Sequence, residues 1–546
     1  MIPDKAEAFG QKENWLMCHS CCCGPLGYGN NYCVPPTTFM TCEFKTCCIF
    51  VCDAALPCSP DVPCMLTLLP MCVICSPAPT CKCCKTLRGI KPEGVAPAVV
   101  FVRGGKIAAV QALAAGAPLP SSASAGGGAP VLPVADLGDR VLSPGLVDIH
   151  AHMNDPGREH WEGFPTGTAG MAAGGVTALV DMPLNSHPSM VSAALFGDKL
   201  AAARGRLKMD VGFWGGLVPE NAEEPAELRG MLRLGALGLK AFMAPSGMAD
   251  FGNTSAAHLD AGVRVLAEFG GRPLFVHAEL VHRVPEQPGA DPRDYATYLA
   301  TRPRSFEKDA VRALIDLADR RDAHVHVAHL SDAELLPEIA AAKAKGVPLT
   351  AETCPHYLAF AAEEVPHGDT RYKCAPPVRE AANRGALMAG LLDGTLDSVG
   401  SDHSPCPEEL KLLEDGDFLG AWGGINGAQY SLPVTWTAAR ERAARLSVDE
   451  LLLRMARWWG SRPAEIAGLA DRKGSIEPGK DADLVVWDPE SPADTRMAAF
   501  HHRNKVSPYE GRALSGRVLR TYVRGHLVFR DGAVSEDFCG EPVLAL

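Results

Sequence analysis

The chain has 546 residues, enough for two or three ordinary cores or for one large barrel with flanking structure. Hydrophobic residues make up 47% and charged residues 21%, the balance of a soluble globular protein. A net charge of −12 argues against a nucleic-acid partner, and no run of about 20 apolar residues offers a membrane-spanning helix.

Residues 1–86 have a habit of their own. The opening Met1-Ile-Pro-Asp-Lys-Ala-Glu7 lacks a basic stretch followed by an apolar one and does not read as a secretory signal. Sixteen of the 20 cysteines fall between Cys18 and Cys84, in clusters such as Cys21-Cys22-Cys23 and Cys81-x-Cys83-Cys84. Proline is frequent there and periodicity slight, so the region reads as an irregular Cys-rich N-terminal extension. Three roles stay open for it: structural zinc, acylated cysteines contacting a membrane surface, or an accessory leader. The rest of the chain has the composition of a cytosolic enzyme, and a cytoplasmic location is the expectation that the extension complicates.

Residues 87–140 form the first part of a small β domain. Val99–Val102 and Lys106–Val110 read as strands joined by a glycine turn, followed by a Gly/Ser/Ala/Pro-rich loop. Strand patterns return in residues 475–546, at Asp483–Trp487, Arg517–Val523 and Gly525–Phe529, so the two flanks are expected to pair with each other. Between them, residues 141–474 alternate short apolar strands with longer helical segments. Ala178–Asp181, Leu274–His277, Val325–His329 and Ser398–Ser401 are such strands, and Glu307–Arg320 places Val311, Leu314 and Ile315 on one helical face. The alternation predicts an α/β fold, a (β/α)8 TIM-like barrel with long loops at one end.

Polar residues recur at the ends of these apolar strands. In Val147-Asp-Ile-His150-Ala-His152 the two imidazoles lie two residues apart on one strand face, roughly 7 Å along the backbone, and can close on one metal. Alone, His-x-His is weak and fits two ordinary polar residues equally well. Lys240 ends the apolar Gly238–Met243 segment; a buried ammonium is costly unless its charge is consumed, as carboxylation by carbon dioxide would do, whereas the plain alternative lets the amine reach solvent. His277, His329 and Asp402 close three further strands. Recurrence in chain order carries the signal, because C-terminal strand ends of a barrel converge on one site.

These motifs resemble the cyclic-amidase branch of the amidohydrolase superfamily, over about residue 87 to the C-terminus. The resemblance implies two divalent metal ions, zinc being the expected one, although manganese, cobalt or iron suit the same donors. It implies His150 and His152 on the first ion, a carboxylated Lys240 (N6-carboxylysine) bridging both, and His277 and His329 on the second. Asp402 would complete the first site and act as the catalytic acid/base. A homotetramer is also implied. His324 and His326 share the opposite strand face from His329 and read as structural; His356 reads as structural or as an outer partner. His160, His187 and His403 are candidates to touch substrate, with no clear ligand role.

The loop after the second histidine bears on the substrate. Dihydroorotases carry arginine where Asn154 stands, and a guanidinium pairs with a substrate carboxylate that asparagine would not attract. The run Asn154-Asp-Pro-Gly157, then Trp161-Glu-Gly-Phe164, Asp181-Met-Pro-Leu-Asn185, Pro245-Ser-Gly247 and Trp422-Gly-Gly-Ile425 resembles the allantoinases. That resemblance implies hydrolysis of the hydantoin ring of allantoin to allantoate by a hydroxide held between two metals, a step of ureide catabolism. Asn154, Asn185, Ser246 and Gly247 are the expected substrate contacts. Arg158 lies nearby and offers an anion site. Hydantoinase (dihydropyrimidinase) or dihydroorotase-like activity is the runner-up, and a non-catalytic scaffold on the same fold is the alternative of a different class.

Overall fold

A computed structural model describes residues 16–18, 31–33, 94–113, 135–285 and 287–546. The chain divides into two compact units, Met1–Ala96 and Pro97–Leu546. In the first, β1 (Leu16–Cys18) pairs antiparallel with β2 (Asn31–Cys33), Leu16 opposite Cys33. The expectations for the cysteine clusters lie outside the described residues.

The second unit holds three β layers. The hairpin β3 (Ala98–Arg103) and β4 (Lys106–Ala112) turns at Gly104 and Gly105, both at positive φ, as the sequence suggested. A five-stranded antiparallel sheet contains β5 (Val141–Pro144), β15 (Leu484–Pro492), β16 (Ser515–Val523), β17 (His526–Arg530) and β18 (Ala533–Val534), ordered β18-β17-β16-β15-β5. Val141–Pro144, at the head of the segment read as barrel, thus pairs with β15, Val141 opposite Trp487. The two flanks also meet directly, through the bridge from Lys106 to Asp481 and Ile107 N–H to the Lys480 carbonyl at 2.9 Å.

The barrel follows. Its strands are β6 (Leu146–Ala151), β7 (Val176–Asp181), β8 (Asp210–Phe213), β9 (Gly215–Gly216), β10 (Leu239–Phe242), β11 (Leu274–His277), β12 (Val325–Val327), β13 (Leu349–Thr353) and β14 (Ser398–Val399). All run parallel, in the orders β6-β7-β8 and β9 through β14, so β8 and β9 are one strand interrupted at Trp214. Closure comes at the far edge, where Ala151 bridges His403 and His152 N–H donates to the His403 carbonyl at 2.9 Å. Helices Phe164–Ala173, Ala193–Ala203, Ala226–Arg233, Ala256–Ala267, Arg304–Arg321, Leu336–Ala344, Ala381–Asp393 and Ser431–Arg442 fill the crossovers, one after each strand, which is a (β/α)8 barrel.

Local chemistry sets these limits. Ser192 caps Ala193–Ala203 by accepting from Leu195 N–H, and Arg304–Arg321 ends where Asp322 turns left-handed at φ 46°. Val311 and Leu314 on that helix are buried and Ile315 partly so, the face read from the sequence. Strands β6, β7, β8 and β11 are buried throughout, so they are mostly apolar and lack the alternation of a half-exposed sheet.

A buried ammonium ties the barrel's foot to the small β domain. Lys473 Nζ lies 2.6 Å from Asp210, at the start of β8, 2.7 Å from Asp483 and 2.9 Å from Asp481. The three carboxylates form a cluster that would suit a metal. Lysine fills it instead. Among the described residues, no helix is long and apolar enough to cross a membrane.

Candidate active site

The ends of β6 and β11, the second residue of β10 and the residues just past β12 and β14 bring the polar side chains together. His150 Nε2 lies 3.3 Å and His152 Nε2 3.4 Å from the same oxygen of Asp402, and the donor atoms of the three fall within 4.8 Å of one another. The His329 ring stands 5.1 Å from that of His150 and 4.6 Å from that of His277. Lys240 Nζ sits 4.8 Å above the Phe275 ring, which in turn packs 5.1 Å from His150. All six residues named for metal and acid/base roles therefore lie around one centre.

Lys240 is the unusual member. Its ammonium is fully buried and has no hydrogen-bond partner among the described residues. Burial pulls it down to about 8 against the opposing carboxylates of Asp402 and Glu352. Its charge is felt by His150, His152, His277 and His329 alike. Carboxylation by carbon dioxide would turn this buried amine into an anion that compensates bound cations, so its surroundings fit that group. Burial and the neighbouring His277 hold His329 well below the ordinary imidazole value, so it is a neutral donor. Asp402, although burial opposes its charge, is held far below the usual carboxylate range by His150, His152 and His329. Burial also lowers His152 and His277, whereas Asp402 and Glu352 raise His150 against burial. Four imidazoles, an ionised carboxylate and a buried amine are donor types that suit divalent cations.

Outer carboxylates orient the imidazoles. Glu352 on β13 accepts from His150 Nδ1 at 2.5 Å, turning Nε2 toward Asp402, and the same oxygen accepts from His329 N–H at 3.3 Å. Burial opposes its charge, but His150 and His326 hold Glu352 down at about 2. Glu279 accepts from His277 Nε2 at 2.7 Å and pairs with Arg302. Neither carboxylate was singled out from the sequence; the available signal was an acidic residue inside or just beyond an apolar strand. Gly400 is glycine for a local reason: a Cβ there would stand 2.5 Å from Glu352 Oε2.

The backbone is left-handed at four positions of the site, Asn154 at φ 60°, Asn185 at 70°, His329 at 35° and Asp402 at 43°. Such conformations persist only where surrounding contacts impose them. Asn154 is fully buried, donates to the Pro405 carbonyl at 3.2 Å and leaves its Oδ1 unpaired. Asn185 Nδ2 lies 3.3 Å from His152 Nδ1. Ser246 spends its hydroxyl on the Phe251 carbonyl at 2.7 Å, and Gly247 is exposed at φ 83°. Arg158 donates to the Asn185 carbonyl at 3.0 Å. His324 and His326 both meet the Thr350 hydroxyl at 2.8 Å on the far side of β12, and His356 is buried with both ring nitrogens unpaired. His403 accepts from Gly427 N–H at 3.2 Å, His160 is exposed, and His187 lies 3.3 Å from Asp250.

The model of the amidohydrolase family matches residues 141–528, from β5 into β17. An allantoinase of Arabidopsis thaliana is 49% identical over 425 residues, covering 76% of this chain and 82% of its own length. One of Streptomyces avermitilis is 46% identical, with coverage of 83% and 96%. The chain belongs to the amidohydrolase family, among the allantoinases. As an amidohydrolase it also resembles solved structures. The L-hydantoinase (dihydropyrimidinase) from Arthrobacter aurescens superposes with a TM-score of 0.72 at 29% identity, covering 82% of this chain and 96% of that one. The dihydropyrimidinase from Brevibacillus agri NCHU1002 gives 0.68 at 27%, with coverage of 82% and 94%.

Proposed function

We propose that this amidohydrolase opens the hydantoin ring of allantoin by hydrolysis, giving allantoate. The observation that carries the reading is the buried, unpaired Lys240 ammonium encircled by His150, His152, His277, His329 and Asp402. His150, His152 and Asp402 would hold one divalent cation and His277 and His329 a second, with N6-carboxylated Lys240 between them; zinc is the metal we favour. Bound there, the cations would polarise the scissile carbonyl and acidify water.

The chain's own groups do the rest. Asp402, ionised, takes a proton from the attacking water and delivers it to the departing ring nitrogen as the C–N bond breaks, so one water is consumed per ring. Glu352 and Glu279 keep the imidazoles turned inward. Buried Asn154 presents an uncharged acceptor where a carboxylate-bearing ring would need a cation, which favours a neutral ureide. Arg158, anchored to the Asn185 carbonyl, is drawn away from that task. Asn185, Ser246 and Gly247 are proposed to line the substrate. We take the enzyme as cytoplasmic, the reading of its composition outside the Cys-rich extension, and as a homotetramer.

Purified, metal-loaded protein assayed with allantoin, hydantoin, dihydrouracil and dihydroorotate tests this reading. Allantoin should be hydrolysed with the highest kcat/KM. Preference for hydantoin or dihydrouracil would favour hydantoinase activity, the second reading, which the likeness to solved hydantoinases supports.

A further inference from the structure

The roof of the mouth contains an indole donor that has no acceptor among the described residues. Trp422, in the loop after β14, meets Trp161, in the loop after β6, edge to face at 4.8 Å. A Cβ on Gly247, in the loop after β10, would stand 4.0 Å from Trp422 Cζ3. Because β10 and β14 lie on opposite sides of the barrel, this contact spans the mouth. Arg158, from the β6 loop, crosses the same gap to lie 3.3 Å from Met248 Sδ.

Two lysines fix Trp422 in place. Its N–H donates to the Leu410 carbonyl at 2.7 Å and its carbonyl accepts from Lys411 Nζ at 3.2 Å. Lys411 also holds the Gly424 carbonyl, while Lys373 Nζ donates to the carbonyls of Leu419 at 3.0 Å and Ala421 at 2.5 Å. Both lysines are buried, so the backbone on either side of Trp422 is clamped, and the indole itself packs against Trp161.

Yet Trp422 Nε1, shut off from solvent, has no acceptor. The fully buried tryptophans behave otherwise: Trp214, Trp436, Trp458, Trp459 and Trp487 each donate to a protein oxygen between 2.9 and 3.2 Å away. A buried N–H without a partner is costly. We propose that Trp422 Nε1 donates to the carbonyl oxygen of the substrate's exocyclic ureido arm, making Trp422 a specificity-determining residue. The inference rests on the reading of the substrate as allantoin. With the ring carbonyl down among the strand-end ligands, the arm at ring carbon 5 rises toward the roof. Unpaired Asn154 Oδ1 offers the matching acceptor for a ureido N–H.

The test replaces Trp422 with phenylalanine and, separately, with benzothienylalanine, which keeps the indole's shape and exchanges N–H for sulfur. Both should raise KM for allantoin about tenfold, with kcat, Tm and bound-metal content held, and leave KM for hydantoin, which lacks the arm, within about twofold. The isosteric replacement keeps the test valid if the phenylalanine variant misfolds. Unchanged KM for allantoin, or equal losses on both substrates, overturns the inference alone. A wild-type enzyme that binds metal but leaves allantoin intact overturns the substrate reading and the inference with it.

Discussion

His150 Nδ1 and Glu352 Oε1 stand 2.5 Å apart, although 202 residues separate them in the chain. The same carboxylate oxygen reaches the backbone of His329, so one acidic side chain aligns a donor of each proposed cation site. Glu352→Gln keeps the shape but weakens both contacts. It should lower affinity for the first cation by about 10–100-fold, measured by chelator competition with metal analysis. Undiminished affinity would leave Glu352 with a packing role only.

Gly400→Ala approaches the same carboxylate from the other side. The added methyl would press on Glu352 Oε2 and on His150 Cβ, at 2.5 and 3.0 Å. We expect a loss of about 1–3 kcal/mol, read by chemical denaturation, together with reduced metal occupancy. Wild-type values for both would mean that β13 and β14 can separate freely.

Asp402→Asn removes the proton carrier while retaining an oxygen donor between His150 and His152. Turnover of allantoin should fall about a thousandfold or more, with most of the bound metal kept. Full activity would refute the acid/base role.

At the barrel's foot, Lys473→Met would leave Asp210, Asp481 and Asp483 buried without their shared cation. Removing one partner of a buried ion cluster costs about 3–5 kcal/mol, and Tm should drop accordingly. The pH dependence has a definite sign. Despite burial, the Asp481 carboxylate is lowered to about 2 by Lys106 and Lys473. Its contribution is therefore complete above the ordinary carboxylate value of about 4 and is lost as pH falls through about 2. Lys473 itself, raised to about 12 by the acidic cluster against burial, contributes fully below its ordinary value of about 10.4 and loses that contribution as pH rises through about 12. Acid titration of wild type and variant by circular dichroism should show the wild-type advantage shrinking toward pH 2; an advantage independent of pH there would contradict the assignment.

The sequence made the barrel and the strand-end residues legible because both depend on local pattern. Leu274–His277 is readable as an apolar run ending in a polar residue, whereas telling His329 from His326 takes the following Leu330-Ser331 as well as alternation, since the strand ends at Val327 and His329 is left-handed. What pattern cannot express is which strand lies beside which. Glu352 looks like any acid in a strand until β13 is known to pass His150, and Val141–Pro144 resembles a barrel strand until β15 is found against it. The unpaired indole of Trp422 is hidden for the same reason, since its surroundings come from loops far apart in sequence.

The lysine-filled acidic cluster has a practical consequence for anyone redesigning this enzyme. It lies at the start of β8, whereas the reacting groups crown the opposite strand ends, so rigidity and chemistry are laid out at separate poles. Thermal robustness can be engineered into the lower pole, by shortening loops or adding bridges between the β sheet and the barrel, without disturbing the pocket above. Altered ring preference belongs to the upper loops, where exchanges leave the foundation untouched.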